Sequence, residues 1–362
     1  MTKRKLGRTG LMVSQLGFGC IRFSSVDQAT VTESLNKALD LGVNFLDTAR
    51  NYRDSETKIG AALKTRRGEF HLATKTAARD ADGLMRDLET SLKELQMDCI
   101  DLYQLHTVSD NATYEKVMGP GGALEAAKKA RQQGKIKHIG CSIHRALDVM
   151  RKVILGGEFE TVMLAYSPLD QEGVGKEILP LAHSRGMGVV IMKPLSGGIL
   201  TSAPPQGQPV PNDPIVRGCL RHVLSNPCVS TIIPGMNYAR EVMENVSTAE
   251  MEQTITDAER QSLMKAIGKL GKSFRYGQVC LRCEYCQPCP QGIRIPEVFK
   301  AQSIVQGYQA DLRYLGLELY KSLAVKPDAC EECGECVKKC PAGLPIPEKL
   351  KEAVQAMKSA GG

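Results

Sequence analysis

From Leu16 to about Asn245, short apolar runs alternate with amphipathic stretches, and this alternation constrains the chain more than any other feature. The apolar runs are Leu16–Cys20, Val43–Asp47, Phe70–Lys75, Cys99–His106, Ile136–Ser142, Thr161–Ser167, Gly188–Lys193 and Val229–Pro234. Runs of this length bounded by turn residues read as strands, and their alternation with helices reads as repeated βα units around a parallel sheet. The helical stretches include Val31–Leu41, with Leu35, Ala38 and Leu39 on one face, and Leu84–Leu95, with Leu84, Leu88, Leu92 and Leu95 at the same period. Eight such units in roughly 250 residues match an α/β fold of the closed (β/α)8 (TIM) barrel type better than an open doubly wound sheet. An open sheet would normally carry a glycine fingerprint after its first strand. Gly17-Phe18-Gly19-Cys20-Ile21-Arg22 lacks the third glycine, and no phosphate-binding P-loop pattern occurs. Lys5–Val13, with Gly7 and Thr9-Gly10 as turn signals, reads as a hairpin ahead of the barrel. The stretch 201–214 is too rich in proline for a helix or a central strand and reads as a lid or a plain surface excursion.

After a last barrel-flanking helix near Asp257–Leu270 the composition changes at Gly271, which divides the chain into a barrel over residues 1–270 and a second domain over 271–362. Eight of the 13 cysteines lie in that tail. The first set is Cys280-x2-Cys283-x2-Cys286-x2-Cys289-Pro290 and the second is Cys330-x2-Cys333-x2-Cys336-x3-Cys340-Pro341. Each is followed by a similar text, Gly292-Ile293-Arg294-Ile295-Pro296-Glu297 and Gly343-Leu344-Pro345-Ile346-Pro347-Glu348, so the tail is an internal duplication. Structural zinc is the alternative, but zinc knuckles come as two pairs with a longer spacer, not as three consecutive two-residue gaps ending in Cys-Pro. The run resembles that of bacterial two-cluster ferredoxins, which send the fourth cysteine of each motif to the other cluster. That resemblance implies two [4Fe–4S] clusters, one on Cys280, Cys283, Cys286 and Cys340 and the other on Cys330, Cys333, Cys336 and Cys289. The first motif is one residue short between its third and fourth cysteine, so local closure on itself is the alternative. Ala301–Leu323 is apolar at helical spacing, which makes the tail a mainly α-helical iron–sulfur domain. The other cysteines, Cys20, Cys99, Cys141, Cys219 and Cys228, read as buried fillers.

A hydrophobic fraction of 42%, a charged fraction of 24% and the lack of any apolar run of membrane-spanning length exclude a disordered chain and an integral membrane protein. No apolar leader follows Met1-Thr2-Lys3-Arg4-Lys5, so a cytoplasmic location is expected, where clustered cysteines mean metal or catalysis more often than disulfides. The net charge of +7 is scattered and Trp is absent, which argues against a nucleic-acid partner.

In a (β/α)8 barrel the catalytic candidates are polar residues at strand C-termini. The second strand runs out into Asp47-Thr48-Ala49-Arg50-Asn51-Tyr52, the third ends at Lys75, the fourth at Leu105-His106 and the fifth at Gly140-Cys141-Ser142. Singly, Asp47 reads as a helix cap, Lys75 as a solvated strand end, His106 as a satisfied half-buried histidine and Tyr52 as a loop aromatic. On successive strands they place an acid, a phenol, an amine and an imidazole on one rim, which is a constellation for proton transfer.

These residues resemble the aldo-keto reductases. The likeness covers roughly the first 250 residues: Leu6-Gly7-Arg8-Thr9-Gly10-Leu11-x-Val13-Ser14, the element Asp47–Tyr52, Lys75, Leu105-His106, Gly140–Ser142, Ile233-Pro234-Gly235 and Glu244-Asn245. The tail resembles that of the iron–sulfur subgroup of this family. The resemblance implies hydride transfer between NAD(P) and a small carbonyl or alcohol substrate. Tyr52 would be the general acid, Lys75 would lower the phenol's pKa, Asp47 would hold Lys75 charged and His106 would orient the carbonyl oxygen. Bringing a phenol about three units down from its reference value near 10 is worth roughly 4 kcal/mol. Ser142 would touch the nicotinamide carboxamide, Leu195, Gly197 and Gly198 would lie along the pyrophosphate, and Gly235, Glu244 and Asn245 would surround the adenosine. Three features depart from the family. Met163 stands where a carboxamide-binding Gln is frequent, Met192 where a stacking aromatic is frequent, and Gly235 and Glu241 where NADP-preferring members place Lys and Arg, with Arg240 adjacent. NAD and NADP both stay open.

A nicotinamide moves two electrons as hydride, whereas a cluster accepts one at a time. Three roles follow: a carbonyl reductase with structural or redox-sensing clusters, an electron-transfer oxidoreductase coupled to a ferredoxin-like partner, and a nucleotide-binding regulatory module.

Overall fold

The computed structural model describes residues 1–144, 146–169, 173–198, 200–201, 210–251, 254–268, 280, 284–307, 313–340 and 343–360. Ten strands are described: β1 (Lys3–Lys5), β2 (Met12–Ser14), β3 (Phe18–Gly19), β4 (Phe45–Asp47), β5 (His71–Thr76), β6 (Ile100–Leu105), β7 (Ile136–Ile143), β8 (Thr161–Ala165), β9 (Gly188–Met192) and β10 (Thr231–Ile233). Each apolar run of the sequence contains one of β3 to β10, except that β5 and β7 extend one residue beyond their runs, to Thr76 and Ile143. These eight pair in chain order, all parallel. Bridges Leu16–Ile232 and Gly19–Gly235 join the first of them to the last and close the barrel. Residues along a strand alternate between barrel interior and helix layer. On β5, Lys75 reaches Asp47 of β4 inside the barrel, while Thr74 and Thr76 bond side chains of the surrounding helices.

The helices of the first part are α1 (Gln28–Asp40), α2 (Ser55–Leu63), α3 (Ala81–Leu95), α4 (Asn111–Met118), α5 (Ala123–Gln132), α6 (Leu147–Gly156), α7 (Leu179–Ser184), α8 (Pro214–Leu224), α9 (Ala239–Glu250) and α10 (Asp257–Gly268). Their starts follow capping chemistry. The Asp27 carboxylate accepts the Thr30 amide at the head of α1, and Asp80 accepts that of Gly83 at the head of α3, each at 2.8 Å. The buried stripe of α3 is Leu84, Leu88, Ser91 and Leu95; it has the helical period expected from the sequence, with Ser91 on the buried face where the sequence places Leu92, which is only partly buried. Helix α4 lies in the connection between β6 and α5.

The antiparallel hairpin β1–β2 is present as expected. It packs on the N-terminal end of the barrel: the Arg8 amide donates to Gly186 O at 2.8 Å, and a Cβ on Gly7 would fall 2.0 Å from Gly188 N at the foot of β9.

By contacts the chain forms two compact units: Met1–Ser167 with Gln171–Pro194 and Leu220–Ile255, and Pro168–Asp170 with Leu195–Cys219 and Thr256–Gly362. The expected division at 270/271 and most of the 201–214 stretch lie outside the described residues.

The tail is helical, with α11 (Ile295–Gly307), α12 (Arg313–Ser322), α13 (Glu335–Lys338) and α14 (Ile346–Ala360). The sequence duplication is a structural one. After each cysteine loop a glycine with positive φ (Gly292, +73°; Gly343, +57°) precedes a helix that opens with Ile-Pro-Glu. Ile293, Ile295, Val298 and Phe299 of the first copy share one core with Leu344, Ile346, Leu350 and Ala353 of the second, and Cys286 and Cys336 lie in it. The apolar stretch Ala301–Leu323 is covered by α11 and α12, which fold back on each other: a Cβ on Gly316 would meet Ala301 O at 2.8 Å. Of the five isolated cysteines, Cys20, Cys141 and Cys219 are buried fillers, whereas Cys99 and Cys228 are partly exposed. No described helix is long and apolar enough to cross a membrane.

Candidate active site

Asp47 closes β4, Lys75 lies one residue from the end of β5, and His106 follows β6 directly. All three are buried, with 2%, 1% and 2% exposure, and this excludes the solvated-strand-end reading of Lys75. The Lys75 ammonium donates to Asp47 Oδ1 and to the Thr48 carbonyl, each at 2.6 Å. Gln104 lies beside Lys75 in the β5–β6 register, and its Nε2 donates to Asp47 Oδ2 at 3.1 Å. Burial pushes the Asp47 carboxyl up, while Lys75 and the Gln104 amide pull it back.

Tyr52 stands in the loop between β4 and α2. Lys75 Nζ is 5.0 Å from its ring centroid, and the His106 ring meets it edge-on, centroids 5.8 Å apart at 79°. The structure thus brings Tyr52, Asp47, Lys75 and His106 together. Burial, with the cations of Lys75, Arg79 and Lys193, holds the His106 imidazole well below its ordinary value, so it is neutral at neutral pH. The Arg79 guanidinium donates to His106 O at 2.7 Å and Thr107 O at 3.1 Å. Thr107 has φ +57°, a sparsely populated conformation for a β-branched residue, and its amide donates to Ser142 Oγ at 2.8 Å.

Ser142 is buried on β7, and with Thr107 as donor its own hydroxyl proton is available to a further acceptor, as a carboxamide oxygen requires. Met163 and Met192 are buried on β8 and β9. Gly235 follows β10, and a methyl placed on it would have no neighbour nearer than 3.7 Å, so its backbone is open to close approach. Asn245 is buried on α9, and Glu244 pairs with Arg240 at 3.6 Å. The Glu241 carboxylate accepts the amides of Asn237 (2.7 Å) and Tyr238 (3.2 Å) ahead of α9. Asn237 Oδ1 is buried with no donor among the described residues, next to the open backbone of Gly235; an acceptor of this kind suits a ribose hydroxyl. Leu195, Gly197 and Gly198 belong to the other compact unit, in a turn where Ser196, Gly197 and Gly198 all have positive φ.

The residues that sequence reasoning passes over are Gln104, Arg79, Arg50, Glu56 and Thr74. Arg50 lies within the Asp47–Tyr52 element itself. Gln104 and Thr74 sit inside apolar strand runs, where a polar residue is the available signal.

In the tail, Cys286 and Cys289 from the first motif and Cys330, Cys333 and Cys336 from the second line one small pocket, together with Pro290 and Leu350. Burial pushes the Cys336 thiol up, and the neighbouring Cys330, Cys289 and Cys333 raise it further. Among the described residues no three His, Cys, Asp or Glu side chains converge on a single ion. Five thiols around one pocket, with Cys286 and Cys336 buried, fit a polynuclear cluster. Cys280, Cys286 and Cys340 pack against the same core, and Cys340 Sγ accepts the Leu344 amide at 3.5 Å. Cys283 lies outside the described residues.

Residues 15–217 match the family model described as the aldo/keto reductase family, and residues 279–345 match the 4Fe-4S dicluster domain. The chain is 27% identical over 305 residues to the uncharacterized oxidoreductase YqkF of Bacillus subtilis (strain 168), covering 73% of this chain and 95% of that one. It is 29% identical over 309 residues to L-galactose dehydrogenase of Arabidopsis thaliana, covering 74% and 95%. Among solved structures, the holo form of aldo-keto reductase AKR11C1 from Bacillus halodurans superposes with a TM-score of 0.62 at 30% identity, over 73% of this chain and 96% of that one. With a closed eight-stranded barrel, a family match over more than half its length and a cysteine-bearing helical tail, this chain belongs to the aldo/keto reductase family of oxidoreductases and carries a 4Fe-4S dicluster domain.

Proposed function

We propose that the barrel catalyses hydride transfer between NAD(P) and a carbonyl or alcohol, with Tyr52 as the proton donor in the reductive direction. The observation that carries this reading is the buried Asp47–Lys75 pair with the Lys75 ammonium 5.0 Å from the Tyr52 ring and neutral His106 against its edge. A bound nicotinamide would supply the hydride. The residues handle the proton: Tyr52 gives it to the substrate oxygen as that oxygen gains charge, and the adjacent ammonium stabilises the phenolate left behind. Asp47 fixes the ammonium, and His106, uncharged, offers a hydrogen bond to the same oxygen. Ser142, Gly235, Asn245 and Glu244 are the proposed cofactor contacts of the barrel unit. The Glu241 carboxylate already fills the amides ahead of α9, so the 2′-phosphate that separates NADP from NAD would meet a like charge there. This supports a preference for NAD(H). Replacing Tyr52 by Phe should abolish turnover of aldehydes while the cofactor dissociation constant, read by fluorescence, stays unchanged; retained turnover sinks the assignment.

The tail is proposed to hold two [4Fe–4S] clusters, the second on Cys330, Cys333, Cys336 and Cys289, the first on Cys280, Cys283, Cys286 and Cys340. A second reading, electron exchange with a ferredoxin-like partner, is favoured by the exposure of Cys333, which puts one edge of the second site at the surface. Cluster reduction by a one-electron donor, coupled to turnover in anaerobic protein, separates it from a purely structural or sensing role.

A further inference from the structure

Behind β5, on the helix side of the barrel wall, lies a buried carboxylate that the proton-transfer chemistry does not use. Glu56, on the first turn of α2, is 1% exposed. Its Oε1 accepts the Thr74 hydroxyl at 2.6 Å, and its Oε2 pairs with the Arg50 guanidinium. Arg50 also reaches Glu94 of α3 at 2.8 Å, and its amide donates to the Lys75 carbonyl at 2.9 Å. Thr74 is the residue before Lys75, and Arg50 lies two residues before Tyr52. One carboxylate therefore grips both the strand that carries the ammonium and the loop that carries the phenol. Backbone bonds also join the start of this loop to β5 (Thr48 N to Ala73 O and Arg50 N to Lys75 O, each 2.9 Å), while the part that carries Tyr52 makes only local ones (Tyr52 N to Ala49 O and Ser55 N to Tyr52 O, each 3.0 Å); Glu56 adds a side-chain link between strand and loop.

We infer that Glu56 and Arg50 are positioning residues that set the distance between the Tyr52 phenol and the Lys75 ammonium, an inference that rests on the proposed roles of those two groups. Burying a carboxylate is costly unless it is paired and hydrogen-bonded, and stability alone would be served as well by an apolar side chain at this site. What the pair adds is direction: a bond from Glu56 to the strand, a charge-assisted one to the loop, and a second anchor from Arg50 to α3. A catalytic geometry set this way loses rate steeply for small displacements.

The test uses the full-length, cluster-loaded protein. Subtracting the ultraviolet spectrum of Tyr52→Phe from that of wild type isolates the ionisation of Tyr52 from the other tyrosines and from iron–sulfur absorbance. The same subtraction is made in the Arg50→Ala and Glu56→Gln backgrounds. The Tyr52 midpoint should rise by about one pH unit in both. The turnover number with 4-nitrobenzaldehyde should fall about ten- to a hundredfold while the cofactor dissociation constant stays within about twofold. Free guanidinium should recover part of the lost rate in Arg50→Ala and none in Glu56→Gln. A lowered melting temperature with an unmoved Tyr52 midpoint would overturn the inference and leave Glu56 a structural residue. If Glu56→Gln fails to fold, Arg50→Ala and Arg50→Lys decide by the same midpoint. Activity retained in Tyr52→Phe would instead remove the parent reading; an inactive Tyr52→Phe beside unaffected Arg50 variants removes only this one.

Discussion

Lys75 and Asp47 form a buried ion pair, and the physics of such a pair is asymmetric. Removing one partner strands a buried charge, which costs about 3–5 kcal/mol, whereas replacing both by apolar groups of similar volume is often close to neutral. Lys75→Met should therefore lose that much stability in urea, and the double variant Asp47→Leu/Lys75→Met should recover most of it with no activity. Equal losses in both would show that the pair is not coupled. His106 gives a second residue-scale expectation. Its imidazole is held well below the ordinary value, chiefly by burial and then by Lys75, Arg79 and Lys193. Below about pH 6.5 the unfolded chain takes up a proton that the folded one refuses, so stability falls with pH by up to about 1.4 kcal/mol per unit, and the residue contributes no slope above that range. Urea titrations across acid pH should show this slope in wild type and its loss in His106→Gln.

Among the elements, the hairpin β1–β2 shows how closely backbone packs at the floor of the barrel. Gly7 combines φ +52° with an approach to Gly188 N that leaves no room for a methyl. Gly7→Ala must displace backbone at the foot of β9, and the loss should be at least about 2 kcal/mol by thermal or urea unfolding, without change in cofactor affinity. An unchanged midpoint would mean that the hairpin yields freely. The sequence marks Gly7 only as a turn residue, because φ is a local property whereas the clash is with a strand some 180 residues away. The same distinction separates the two ends of the tail. The repeated Gly and Ile-Pro-Glu texts announce helix starts correctly, since capping and proline rules act within one turn. The stretch Ala301–Leu323 keeps one continuous helical period, yet α11 and α12 fold back on each other.

For the molecule as a whole, the tail makes the sharpest claim. Cys289 and Cys286 belong to the first motif, yet they line a pocket with three cysteines of the second. Cys289→Ser should remove or convert that cluster while the other persists, so iron content falls by up to about half and one set of paramagnetic resonances is lost on reduction. Loss confined to the cluster of Cys280, Cys283 and Cys286 would support local closure. The sequence by itself determined the eight βα units, the hairpin, the helical tail and the four polar residues, Asp47, Tyr52, Lys75 and His106, that meet at one rim of the barrel. Strand and helix periods and cysteine spacing act between near neighbours and are written directly in the order of residues. Tertiary structure alone decided that Gln104 and Lys75 share Asp47, that Arg79 and Ser142 hold the strained Thr107, and that Glu56 links Thr74 to Arg50. It also decided the company that Cys289 keeps. Each of these depends on the register between elements far apart in the chain, where a polar residue meets its partner through the closure of the barrel or the pairing of the two tail repeats and leaves no periodic trace in the sequence.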